Sequence, residues 1–182
     1  MDDFALETLD FESERLRFRP LRDIDESLYC ALYADAETMR FIGPPMSREQ
    51  ARRSFRTTLR LLRKQPIEWV SIALEEKASA QTIGICGIPH FDGRAKRLEV
   101  GMMLCKAVRG RAYSKEGLGS LVGRLFAVLP VEELCVEYSP ENLAAGKLAS
   151  GVGFLPNREI SPKIKTNCVC SVDRRTVRNL TL

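Results

Sequence analysis

Val108-Arg109-Gly110-Arg111-Ala112-Tyr113-Ser114 decides how this chain is read, because it hands a strand over to a helix. Before it, Leu98 to Cys105 reads as a strand. After it, Ser114 to Leu129 carries Leu118, Leu121, Val122, Leu125, Phe126 and Leu129, a complete i, i+3, i+4, i+7 pattern that Pro130 ends. A helix N-terminus presents unpaired backbone N–H groups and partial positive charge, which suits a phosphate or diphosphate. Gly110 and Ala112 let the backbone approach an oxyanion, and Arg109 and Arg111 can add charge-assisted hydrogen bonds. An ordinary strand-to-helix connection with solvated arginines fits the same spacing.

Working outward, Trp69 to Glu75 and Thr82 to Ile88 read as two strands that form an antiparallel meander with Leu98 to Cys105. Phe11 to Leu21 alternates, with Leu16, Phe18 and Pro20 on one face and Arg15, Arg17 and Arg19 on the other. Asp23 or Asp25 can cap a helix bearing Ile24, Leu28, Ala31 and Leu32 at helical spacing. Ser47-Arg48-Glu49-Gln50 has capping-box form, so a helix starts there with the apolar stripe Ala51, Phe55, Leu59 and Leu62. Beside that stripe Arg52, Arg56, Arg60 and Arg63 form a basic one, which reads as a solvated face or as a site for an acidic acceptor, a phosphate or RNA. Leu134 to Tyr138 is a short strand, Asn142 to Ser150 a short helix, and Thr166 to Asp173 a final strand. The order predicts an α+β (mixed α/β) domain around one central, largely antiparallel sheet flanked by helices.

The chain has 182 residues, enough for one well-buried core, and its net charge of +4 favours anionic ligands without requiring nucleic acid. No apolar run approaches the ~20 residues of a membrane span. The acidic start Met1-Asp2-Asp3 lacks the basic flank and apolar core of a secretory signal, so the expected compartment is cytoplasmic. Six cysteines, at 30, 86, 105, 135, 168 and 170, match no metal-ligand spacing, and the single His90 leaves few imidazole ligands. They read as reduced, structural thiols, and no metal is expected. The strand Thr166–Asp173 can in principle pair with a second copy to give a homodimer.

Glu99-Val100-Gly101-Met102-Met103-Leu104, followed without a gap by Arg109-Gly110-Arg111-Ala112-Tyr113-Ser114-Lys115-Glu116, resembles the acetyl-CoA motif of GNAT-type N-acetyltransferases in their RimJ/RimL-like branch. Glu141-Asn142 with Gly153-Phe154 resembles the family's second signature, and Glu12 to Leu21 the branch's first strand. The resemblance spans about residues 12 to 160 of a single domain covering 1–182, with residues 1–11 expected to be a flexible N-terminal segment. It implies a GNAT-like fold and acetyl-CoA as acetyl donor. It further implies that the backbone of Met102, Met103 and Leu104 pairs with the pantetheine arm as an extra strand. By the same resemblance the amides of Arg109, Gly110, Arg111, Ala112, Tyr113 and Ser114 hold the pyrophosphate, Asn142 contacts the pantetheine, and Lys147 reaches a CoA phosphate.

For the chemistry, Glu99 and His90 are the candidate bases that would free a primary amine to attack the thioester. Ala112 stands where the family usually has glycine. Ala145 and Ala149 stand where members carry a Ser or Tyr, with Tyr138, Ser139 and Ser150 nearby as substitutes. The acceptor implied is an amine on a small molecule, acidic if the arginine stripe serves it, or a protein N-terminus. A CoA-binding domain without efficient transfer is the alternative. An RNA- or ribosome-associated protein is a third reading, for which no RNA-binding signature is present.

Overall fold

The computed structural model describes residues 4–177. A 3-10 turn at Leu6–Leu9, with Leu9 fully buried, leads into β1 (Phe11–Glu12) and β2 (Leu16–Pro20). Helices α1 (Glu26–Ala34), α2 (Ala36–Met39) and α3 (Arg48–Leu62) follow. Then come β3 (Val70–Glu76), β4 (Gln81–Ile88), β5 (Arg97–Glu99), β6 (Gly101–Leu104) and α4 (Tyr113–Val128). The chain closes with β7 (Glu133–Tyr138), α5 (Leu143–Gly151), β8 (Leu155–Pro156), β9 (Cys168–Asp173) and α6 (Arg174–Val177).

The expected α+β architecture is present, and the meander is antiparallel in the order β1-β2-β3-β4-β6. The expected single strand Leu98–Cys105, however, breaks at Val100 and changes partners. Arg97–Glu99 pairs in parallel with Glu133–Cys135 of β7, whereas Gly101–Leu104 pairs antiparallel with Gly84–Gly87 of β4. The central sheet is therefore two sheets, the second in the order β5-β7-β9-β8, joined through one extended segment. Strands β6 and β7 diverge from that joint. β9, from the segment expected to be able to pair with a second copy, is paired within the chain to β7 on one side and to the two residues of β8 on the other.

One face of the first sheet carries Leu16, Phe18, Ile72, Leu74 and Cys86, and packs with Leu118, Leu121, Val122 and Leu125 of α4. The other carries Leu21, Ala73 and Ile85 beneath Tyr29 and Leu32 of α1 and Phe55, Leu59 and Leu62 of α3. The α3 stripe lies as its spacing dictates, and the capping box closes both ways between Ser47 and Gln50. Helix α1 keeps Leu32 buried and Leu28 packed against the core, as the stripe expects, but Ile24 and Ala31 face outward. It starts at Glu26 after a 3-10 turn, so Tyr29, Cys30 and Leu32 point inward, while Ile24 is 77% exposed.

Asp25 does not cap α1 with its side chain. It is buried against Arg19, which is buried too rather than solvated like the neighbouring strand arginines. Helix α1 roofs that face of β2, and a carboxylate comes with the roof. Helix α4 carries Gly117 where it crosses the sheet: a Cβ there would stand 3.0 Å from both Leu74 Cδ2 and Met102 Cε. The glycine sets how closely the helix approaches β6.

Candidate active site

The divergence of β6 from β7 leaves a cleft between the two sheets. Its inner part, about 310 Å³, reaches from Trp69, Ser71, Ile85 and Gly87 past Glu99–Met103 to Val136–Tyr138 and the first turns of α5. An adjoining part runs along Met102–Leu104 to Val108, Arg109, Gly110, Tyr113 and Ser114. Both share Phe41, Ile42, Met102, Met103, Asn142, Ala145 and Leu148, so they form one continuous groove.

The groove's wall along β6 is an open strand edge. Cys105 donates its N–H to Ile83 O across the β4 side, whereas Val100 donates to Cys135 O on the other side. Alternation between these two fixed points turns the N–H and C=O of Met102 and Leu104 away from β4, into the groove. Strand β5 covers β7 only as far as Cys135, so the edge of Val136–Tyr138 is also free on this side.

At the far end lies the turn read first in the sequence. Gly110 has φ 81 and Ala112 φ 62. Helix α4 begins at Tyr113, and its N-cap is Ala112, which has no side-chain oxygen to offer. Ser114 lies inside the first turn and does not cap the helix. The first ladder bond runs from Glu116 N to Ala112 O at 3.2 Å, so the amides of Tyr113, Ser114 and Lys115 have no intrahelical acceptor.

Arg109 donates to Glu37 Oε1 at 2.9 Å and to Thr38 Oγ1 at 2.7 Å, tying the turn to α2. Arg111 is exposed, and its carbonyl accepts from Arg15. Tyr113 is buried, bonds Glu76 through its hydroxyl, and lies under the Arg15 guanidinium, whose central carbon is 4.4 Å from the ring centroid. Glu116 fixes the helix from below. Burial alone would raise its carboxyl, but hydrogen bonds from Arg15 N, Ser13 Oγ and Arg15 Nε hold it below the usual range.

The left-handed conformation at Ala112 answers the question its sequence position poses, since a Cβ is strained there. Replacing Ala112 by glycine is expected to stabilise the protein by about 1 kcal/mol. The check is the denaturant midpoint at constant m-value; a lower midpoint would show that the turn carries no such strain.

Of the two candidate bases, Glu99 lines the groove and pairs with Lys163 Nζ at 3.0 Å. His90 sits exposed in the turn after β4, with φ 50, and is not among the lining residues. Asn142 lines both parts and spends its Oδ1 on the α5 N-terminus, accepting from Ala145 N at 3.1 Å. Lys147 faces an adjoining depression with Pro140, Gly146 and Cys168.

Tyr138 reaches the groove, and its hydroxyl shares a 3.3 Å hydrogen bond with Cys170 Sγ. That bond and burial push its pKa up to about 12, so it keeps its proton. Ala149 is buried and Ser150 exposed. None of Arg52, Arg56, Arg60 and Arg63 lines the groove; Arg52 pairs with Glu26 and Arg63 with Asp23.

The sequence reading missed the groove's aromatic wall: Tyr29 and Tyr33 of α1, Phe41 after α2, and Trp69 before β3. The i, i+4 spacing of Tyr29 and Tyr33 is the available signal, one residue along from the Leu28 and Leu32 pair on the same side of the helix. Among the described residues no helix is long and apolar enough to cross a membrane, and no group of three or more His, Cys, Asp or Glu side chains could hold a metal ion.

The acetyltransferase (GNAT) domain model matches residues 15–155. Among solved structures, an acetyltransferase from Agrobacterium tumefaciens superposes with TM-score 0.77 at 21% identity, over 90% of this chain and 94% of that one. The spermidine N-acetyltransferase of Vibrio cholerae, in complex with CoA and spermine, gives 0.74 at 14%, over 92% of this chain and 100% of its own. An aminoglycoside acetyltransferase in complex with coenzyme A gives 0.73 at 12%, over 90% and 97%. These likenesses establish the shared fold, and the matched domain covers well over half the sequence; this chain belongs to the GNAT acetyltransferase family.

Proposed function

We propose that the protein is an N-acetyltransferase that moves an acetyl group from acetyl-CoA to a primary amine, and that it is of the RimJ/RimL-like branch that its sequence resembles. The observation that carries this reading is the open β6 edge running into an uncapped helix N-terminus. An extended amide-bearing arm can pair with Met102 and Leu104 as an added strand. A pyrophosphate then falls at the amides following Arg109, where the backbone of Gly110 to Ser114 and the helix dipole favour an anion. Asn142 borders the arm from the opposite wall, and Lys147, in the adjoining depression, is the residue assigned to a CoA phosphate outside the groove.

Acetyl-CoA supplies a carbonyl carbon activated by a good leaving thiolate. Glu99, through its carboxylate or a water, takes the proton that frees the amine lone pair. The Met102 N–H donates to the carbonyl oxygen as it gains charge while the N–C bond forms. The C–S bond then breaks as the Tyr138 hydroxyl gives its proton to sulfur, and the proton that the amide nitrogen sheds returns through water to the Tyr138 oxygen. His90, outside the groove, serves less well as base.

Replacing Glu99 by glutamine is expected to lower kcat about 10²-fold with little change in acetyl-CoA KM, because the amide keeps the shape and loses the base. Unchanged kcat across the pH range would remove Glu99 from the chemistry.

Ala145 and Ala112 favour a second reading, a CoA-binding protein with weak transfer. Thiol release from acetyl-CoA over a panel of primary amines separates the two: turnover above the no-amine rate supports the enzyme, and CoA binding without it supports the second reading.

A further inference from the structure

We infer that the acceptor is a primary amine on a flat apolar, aryl-bearing body with a carbonyl oxygen, and that Trp69 is the residue that selects for that oxygen. This rests on the N-acetyltransferase reading above and concerns the end of the groove away from the phosphate turn.

Three observations point the same way. First, that end is walled by rings. Tyr29 and Tyr33 stack with centroids 4.4 Å apart, and Phe41 and Trp69 line the same cavity. Flat apolar bodies gain both burial and ring–ring contact in such a wall.

Second, the carboxylates that line the groove are engaged. Glu99 pairs with Lys163. Glu137 accepts from Lys163 N, Ile164 N and Asn167 Nδ2 at 2.9, 3.0 and 2.9 Å, which anchors the segment before β9. Glu37, at the outer part, holds Lys106 and Arg109. A polycation entering the groove therefore meets no carboxylate free to pair with a second or third ammonium, and desolvating unpaired charge is costly.

Third, among the described residues Trp69 Nε1 is the one buried side-chain nitrogen or oxygen without a hydrogen-bond partner. The indole offers a donor and no acceptor, so it calls for an oxygen. On that wall the Thr58 hydroxyl is 3.2 Å from the Tyr29 hydroxyl and bonded to it, so it does not serve the indole. A carbonyl on the amine's body, reached by a small turn of the indole toward the cavity, satisfies it.

The test uses the full chain with acetyl-CoA and four amines: phenylalaninamide, 2-phenylethylamine (the same body without the carboxamide), spermidine and an aminoglycoside. The expected kcat/KM for phenylalaninamide exceeds that for either polyamine by about tenfold or more, a margin that pocket shape alone can give. Trp69→Phe keeps a ring and removes the donor. Both amines lose the contact that the smaller ring gives up, and phenylalaninamide is expected to lose about tenfold more than 2-phenylethylamine, because only it loses the hydrogen bond.

A merely structural Trp69 predicts the opposite pattern, since losing an orphan donor leaves or raises the melting temperature and shifts both amines alike. Spermidine turned over as well as phenylalaninamide would overturn the assigned acceptor class while leaving the acetyltransferase reading standing, and that comparison needs no variant. CoA binding with no turnover of any of the four overturns the acceptor class too. Failure to bind CoA removes the reading on which this inference rests.

Discussion

Met102→Pro is expected to reduce kcat/KM for acetyl-CoA by 10²–10³-fold, about the loss measured when one preorganised oxyanion donor is deleted. Proline in a sheet is normally disruptive because it removes a ladder hydrogen bond. At residue 102 the N–H faces the groove, not β4, so the ladder with Cys86 and its neighbours survives. Gly101 precedes it in an extended conformation, which proline tolerates.

The Met102 side chain packs toward Gly117 and α4, so its loss has a stability cost of its own. Met102→Ala supplies the control: it trims the same side chain and keeps the amide. The alanine variant is expected to turn over near the native rate, and the proline variant is not. Equal rates in the two variants would place the acyl group away from the β6 edge.

The second large effect is on stability. Asp25→Ala is expected to cost about 3–5 kcal/mol, the penalty for stripping one partner from a buried ion pair. Arg19 donates to Asp25 twice, at 2.8 and 2.9 Å, and the two side chains are 3% and 1% exposed. Asp25 also accepts from Arg22 N and Thr82 Oγ1, each at 2.9 Å, and Arg19 keeps only a 3.2 Å contact to the less buried Glu75 as a second counter-charge. Removing the carboxylate leaves a guanidinium sealed under α1.

The pair also sets an acid limit. Burial pushes the Asp25 carboxyl up, but the bonds from Arg19, Arg22 N and Thr82 outweigh it and hold the carboxyl below its usual range. The unfolded chain then binds more protons near and below the ordinary aspartate pKa of about 4, so the pair's contribution is complete above that pH and is lost as pH falls through the lowered value. Urea midpoints measured from pH 6 downward should fall more steeply in the native protein than in Asp25→Asn; parallel slopes would contradict this.

Much of this was legible in the sequence, and the exceptions share a cause. The α3 stripe, its capping box and the α4 stripe follow from local spacing, and each is where that spacing puts it. The break at Val100 is not local. Leu98 and Val100 are buried and Met102 and Leu104 half-buried along one uninterrupted alternation, so nothing within the segment records that it leaves β7 for β4. That choice is made by strands about 15 residues earlier and 35 later, and sequence alternation carries no record of partners.

Arg19 is a similar case. Alternation placed it on the face opposite Leu16 and Phe18, but could not show that α1 covers that face, buries the guanidinium and brings Asp25. A glycine inside a helix marks either a weak point or a close approach, and at Gly117 the 3.0 Å limits set by Leu74 and Met102 decide for close approach. The turn from Arg109 to Ser114, proposed to hold the phosphates, was the most readable part of the candidate site because its geometry is backbone and local. The aromatic wall was the least, being gathered from α1, the segment after α2 and the start of β3.

The most direct measurement is a calorimetric titration of the native protein with CoA. Binding at one site per chain with a micromolar dissociation constant, weakened when Gly110 is replaced by a residue that resists φ 81, is the predicted result. No heat of binding at millimolar CoA would contradict the claim that the groove between β6 and β7 is built to hold an acyl-CoA.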